Sequence, residues 1–194
     1  MQELVQQILQ DQIKGKLNKQ ISNSLGVSDD KAQDLIENSL PYLLGGLKKN
    51  TASETGKQSL LKALESGKHD EAVLTDPLSS TEGEKVLKHV LGDQEETIEA
   101  QIAKDTEVDP AQAKKTLAVM APLVMAALSK VVKVDKLNAD KLSDIVGDLS
   151  KNKDFMGTGK KLAMELLDKD GDGDIKDDFI GLAQKWISRQ FSKK

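Results

Sequence analysis

An all-α fold is predicted by three observations. Apolar residues recur at helical spacing over most of the chain. No segment alternates with period two for long enough to make a strand. Hydrophobic residues make up 38% of the 194 residues and aromatics only 3%, so the core must be aliphatic. Charged residues are 31% of the chain with both signs interspersed, which suits the solvent faces of packed helices. The length allows one large domain or two small ones.

The elements follow in order. Leu4, Ile8 and Ile13, with Val5 and Leu9, give an apolar stripe at the start. "VSDDKAQDLIENSLPYLLGGLKKN" opens on a Ser28 cap signal and closes near Asn50. "SLLKALES" is a short helix ended by Gly67. Residues 67–83, "GKHDEAVLTDPLSSTEG", crowd Ser and Thr around two glycines and Pro77, and read as a connection with a short helical turn. The helical pattern then restarts. "EKVLKHVLGDQEETIEAQIAKDT" is one or two helices, with Gly92 as the interruption. "DPAQAKKTLAVMAPLVMAALSKVV" takes Asp109 as cap and Pro110 at the first helical position. Its apolar run, Leu117 to Leu128, is too short to span a bilayer and reads as a buried helix.

The restart repeats the first half. At one constant offset, Ile21 falls on Ile102, Val27 on Val108, Ala32 on Ala113, Pro41 on Pro122, Leu47 on Leu128 and Lys49 on Lys130. The caps Ser28 and Asp109 coincide without a gap. Shared prolines in mid-pattern weigh against chance, because proline inside a helix is costly. Each removes a bond that the carbonyl of Glu37 or Ala118 would accept, so a kink or break is expected there. Gly45 and Gly46 follow the first proline, and Ala126 and Ala127 the second, which would let another helix pack closely. The expected architecture is a duplicated multi-helix domain over residues 1–150, with copies at about 1–66 and 84–150 joined by 67–83. A helix–loop–helix over 151–194 follows.

"LGVSDDKAQDLIENSLPYLLGGLKKN", "GKHDEAVLTD", "EGEKVLKHVLG" and "APLVMAAL", in that order, resemble the bacterial YidB-like family, domain-of-unknown-function family 937. The resemblance covers roughly residues 15 to 150. It implies an all-helical fold. It carries no agreed activity and no catalytic residues. Members of that family are similar in often closing with an acidic "DxDGDG" loop, as this chain does.

That loop, in "LDKDGDGDIKDDFIGL", is the sharpest chemical signal. Asp168, Asp170, Asp172 and Gly173 fit the first half of the EF-hand pattern, and Asp174 falls where a backbone carbonyl is the ligand. Three carboxylates converging on one centre repel one another without a cation. The pattern fails at position 12, where Phe179 stands in place of the bidentate Glu. Asp177 or Asp178 must substitute, and Asp178 is the preferred ligand. The competing reading is a metal-free acidic turn, with Asp174 capping the next helix and Asp177 and Asp178 in its first turn. Calcium suits the flexible oxygen ligands better than magnesium. Without the glutamate the affinity should be weak, about 10⁻⁵ to 10⁻³ M, and the ion structural. Phe179, Leu182, Ala183, Trp186 and Ile187 recur at helical spacing after the loop.

Other chemistry is thinner. The chain has no cysteine, which excludes disulfides, thiolate catalysis and Cys-based zinc sites. The net charge of -4 argues against nucleic-acid binding. The start lacks the basic and apolar regions of a secretory signal, which assigns the chain to the cytoplasm; a processed exported chain would look the same. His69 and His89 read as surface or satisfied polar residues. "GTGKK" lacks the first glycine and the strand of a phosphate loop. The expected function is a non-enzymatic helical binding or scaffold module with a protein partner. The alternative is an enzyme or small-molecule binder using a cavity between the two repeats. A polar-lined pocket holding a histidine with acids would favour that second reading.

Overall fold

The computed structural model describes residues 2–66 and 71–152. Among the described residues all regular structure is helical. The first half holds α1 (Gln2–Gln12), α2 (Asn18–Leu25), α3 (Asp29–Asn50) and α4 (Glu54–Glu65). The connection carries the short α5 (Glu71–Thr75) and a 3₁₀ turn at Pro77–Ser79. The second half holds α6 (Gly83–Leu91), α7 (Glu95–Thr106), α8 (Pro110–Asp135) and α9 (Ala139–Leu149).

Local chemistry sets most boundaries. Ser28 Oγ accepts from Lys31 N at 3.2 Å and opens α3. Asp29 and Asp30 lie in its first turn and Lys48 and Lys49 in its last, each complementing the helix dipole. Pro110 begins α8, and the Gln112 side chain accepts from Asp109 N at 3.1 Å. Gly92, at φ 58°, ends α6 as the sequence predicts. α4 starts earlier than its apolar stripe suggests, because Ser53 Oγ accepts from Gly56 N at 3.1 Å and caps it. Gly15, with φ -91° and ψ -114°, bends the chain between α1 and α2.

Of the kink or break expected at the prolines, the break does not occur: α3 and α8 run continuously through Pro41 and Pro122. Both prolines are buried, and the packing around them holds the two helices together across the lost bond. Ala118 O, deprived of its helical donor by Pro122, lies against the backbone of Gly83; a Cβ at Gly83 would collide with that oxygen. Gly46 has the same use on α3, where a Cβ would lie 2.6 Å from Val90 O. These two glycines draw α6 in against α3 and α8.

α3 and α8 pack on each other at the centre. α1, α4, α6 and α7 pack on α8, and α2, α6, α7 and α9 on α3. The core is aliphatic, with Leu35, Ile36, Leu43, Leu44, Leu117 and Leu123 at 0–1% exposure. Tyr42 is the largest side chain buried there. α8 is long and apolar enough by length and composition to cross a membrane, but 72% of its apolar window is packed inside the protein.

Two pairs of contacts recur in the register that aligns Pro41 with Pro122. Gly26 and Glu107 are both left-handed, at φ 67° and 54°. Behind them Val27 N donates to Ser22 O at 3.1 Å and Val108 N to Ala103 O at 3.0 Å. The ties between halves are also reciprocal. Lys31 Nζ on α3 donates to Thr106 O at the end of α7 (2.6 Å), and Gln112 Nε2 on α8 donates to Leu25 O at the end of α2 (3.2 Å).

Candidate functional site: a groove between α4 and α6

α6 carries apolar residues at Val86, Leu87, Val90 and Leu91, a spacing that places two rows on the protein side. Leu87 and Leu91 go into the core. Val86 and Val90 line a groove of about 560 Å³ together with Glu82, Lys85 and His89. α4 supplies the other wall with Ser59, Leu60, Lys62, Ala63 and Ser66. Leu47 of α3 and Met125 of α8 complete the floor, and Asn50 of α3 stands at the rim. The groove exists because α6 leans onto α3 and α8 at its two glycine contacts and scarcely touches α4.

The floor is apolar and the rim polar. Leu60, Val86, Val90 and Met125 are only 5–7% exposed. On the rim, Asn50 Nδ2 donates to His89 O at 3.0 Å, which fixes the end of α3 against the end of α6. His89 Nδ1 lies 2.8 Å from Lys85 O, so the ring is held by its own helix. Glu82 and Lys85 pair loosely at 3.8 Å, both well exposed. The groove therefore carries an acid at one end of α6 and a histidine at the other, over aliphatic ground.

A second polar cluster joins α7 to α8. Lys114 Nζ reaches Glu95 Oε1 at 3.1 Å and Glu99 Oε1 at 3.6 Å. Glu99 is buried, and its Oε1 makes no hydrogen bond. Burial pushes the Glu99 carboxyl above its ordinary range against the pull of Lys114, and the neighbouring Glu95 adds to the rise. Glu95 and Glu99 hold Lys114 above its own ordinary range. In the register that aligns Pro41 with Pro122, Asn18 and Gln33 fall on Glu99 and Lys114, and there Asn18 Nδ2 donates to Gln33 Oε1 at 3.3 Å, a neutral pair. Elsewhere in the core the Tyr42 hydroxyl is buried without a hydrogen bond, and desolvation, aided by the charge of Asp105, raises it well above the usual phenol range.

The residues predicted to hold calcium, Asp168, Asp170, Asp172, Asp174 and Asp178, lie outside the described residues, as do His69 and the helix–loop–helix over 151–194 beyond its first two positions. Among the described residues no group of three or more His, Asp or Glu side chains could hold a metal ion. The groove carries no sequence motif. Its walls come from separate stretches of the chain, and only the spacing of Val86 and Val90 on α6 hints at it.

A family model described as "Bacterial protein of unknown function (DUF937)" matches residues 7–131. The chain belongs to this family. The match runs from within α1 to within α8 and includes both prolines, both capped long helices and the α6 wall of the groove. No curated protein and no solved structure matches the chain. The family description names no activity, so the geometry of the groove has to carry the functional reading.

Proposed function

We propose that this member of the family is a non-enzymatic binding module whose site is the α4–α6 groove. The observation that carries this reading is the aliphatic floor beneath a polar rim in a space of about 560 Å³. Ligand pockets of roughly 300–1,000 Å³ with apolar walls and a few convergent polar groups are the usual form of a small-molecule site. A neutral solvatochromic dye such as Nile red tests the reading. Saturable binding to the full chain is expected, weakened at least about tenfold by Ala63→Phe, which fills the groove. Identical binding by the variant, with helicity unchanged, would place the dye elsewhere and end the reading.

The domain itself reads best as two copies of a four-helix unit, α1–α4 and α6–α9. The paired left-handed caps, the reciprocal ties of Lys31 and Gln112, and the Asn18–Gln33 and Glu99–Lys114 pairs support it. The correspondence loosens at the fourth helices, whose first residues, Glu54 and Ala139, fall outside the common register.

The acidic loop adds a second, separate proposal, carried by ligand spacing alone. Asp168, Asp170, Asp172 and Asp178, with the Asp174 carbonyl, form a weak structural calcium site. Calorimetry should show calcium binding at about 10⁻⁵ to 10⁻³ M that Asp170→Ala removes. Absence of heat at millimolar calcium would leave only the acidic turn.

A further inference from the structure

We propose that the α4–α6 groove takes a single aliphatic carboxylate of medium to long chain, a free fatty acid anion, with its chain on the floor and its head at the cationic rim. This rests on the binding reading above and names the ligand class for the same site.

Three observations point to this class. The first is charge. The chain as a whole is acidic, at -4, yet the groove is lined by Lys62 from one wall and Lys85 from the other against a single acid, Glu82. Glu82 offsets little of this, because its contact with Lys85 is long and exposed. Lys62 has no ion-pair partner among the described residues. A cationic ligand would be repelled and a neutral one would leave both ammonium groups unused. Charge-assisted hydrogen bonds to a carboxylate are about twice as strong as neutral ones.

The second is the character of the floor. Leu47, Leu60, Val86, Val90 and Met125 are all aliphatic or thioether, and no Phe, Tyr or Trp lines the groove among the described residues, its one ring being His89 on the rim. Such a floor offers no ring to stack on and suits a flexible alkyl chain, with Met125 as an adaptable surface. The third is shape. Glu82, Val86 and Val90 follow one another along a single helix face, which at about 1.5 Å per residue makes a trough about 12 Å long, enough for an extended chain of about ten carbons. Each methylene buried there should tighten binding by about fourfold until the trough is filled.

The test is displacement of Nile red from the full-length chain by decanoate, decanol and decyltrimethylammonium, each held below the concentration at which it aggregates. Decanoate should displace the dye at a concentration at least about tenfold lower than decanol, and the cation should be the weakest. Affinity should climb from hexanoate to decanoate and then level off. The double variant Lys62→Ala/Lys85→Ala should abolish the advantage of decanoate and leave decanol unchanged. Equal displacement by decanoate and decanol, or a preference that survives in the double variant, would overturn the carboxylate assignment and leave the groove as a neutral apolar site. Failure of the dye itself to bind would remove the binding reading beneath it. Sedimentation with anionic vesicles by a chain that ignores monomeric decanoate would overturn the inference in favour of a membrane surface.

Discussion

The α1–α9 and α4–α6 seams pair the same two ranks of helix, the first of one half with the fourth of the other, and they end differently. α1 packs directly on α9, and Val5 and Leu9 are shut into the core at 0–1% exposure. The recess left beside them is lined mostly by charged residues, among them Glu3, Lys141, Asp144 and Asp148. α4 and α6 stand apart over an aliphatic floor. The difference traces to backbone approach. Gly46 and Gly83 let α6 sink onto α3 and α8, whereas the offset that aligns Pro41 with Pro122 puts Ala127 and Gln2 at these places in the other half. The helices on either side of the connection can thus bury similar cores and still present different seams, an aliphatic groove at one and a charged recess at the other.

Truncating matched wall residues would break this comparison most visibly. Val5 of α1 and Val86 of α6 carry the same side chain in the register that aligns Pro41 with Pro122, at 0% and 7% exposure. Val5→Ala should cost about 2–3 kcal/mol, since it leaves a closed void, and Val86→Ala only about 1–2 kcal/mol, since it widens an open trough. Urea unfolding measures both, and equal losses would mean that the two seams are equally packed. Restoring the missing Cβ comes next. An alanine normally gains about 1 kcal/mol over glycine inside a helix. Gly46→Ala should instead lose about 1–2 kcal/mol, because the methyl meets the Val90 carbonyl. A stabilised variant would show that α6 does not need this approach.

The smallest effect separates the neutral from the charged polar pair. Burial raises the Glu99 carboxyl, so the folded chain holds that proton more tightly than the unfolded chain does. The stability this site contributes is full below the unfolded value and declines as pH rises through the raised folded one. Glu99→Gln should remove that decline, whereas Asn18→Ala should shift stability by the same amount at every pH, there being no proton to release. Melting curves from pH 4 to 8 compare the two. A parallel offset in both variants would sink the distinction.

Much of the helical order is written in short-range chemistry. Ser28, the Asp109–Pro110 pair and Gly92 mark their boundaries through side-chain caps and backbone freedom, which act within a few residues. The apolar run from Leu117 to Leu128 announces its own burial. Features that depend on distant partners are not legible in this way. Pro41 and Pro122 look like breaks until the surrounding core is counted. Gly15 stands between Lys14 and Lys16, just past the stripe that closes at Ile13, and its spacing alone does not announce the bend. The groove is the clearest case: its walls are ordinary amphipathic faces, and their separation depends on glycines that touch other helices. The acidic loop reads most plainly as chemistry, through a spacing that needs no tertiary context to recognise.

The contact of Gly83 with the carbonyl that Pro122 frees has a bearing on motion. It seats the first residue of α6 on α8, at the end of the helix where Glu82 and Lys85 reach the groove. A swing of α6 toward α4 that would narrow the groove has to break this contact or the one at Val90. With Gly46 and Asn50 holding the other end of α6, the helix is pinned at both ends, and the width of the groove rests in part on a proline that never lines it.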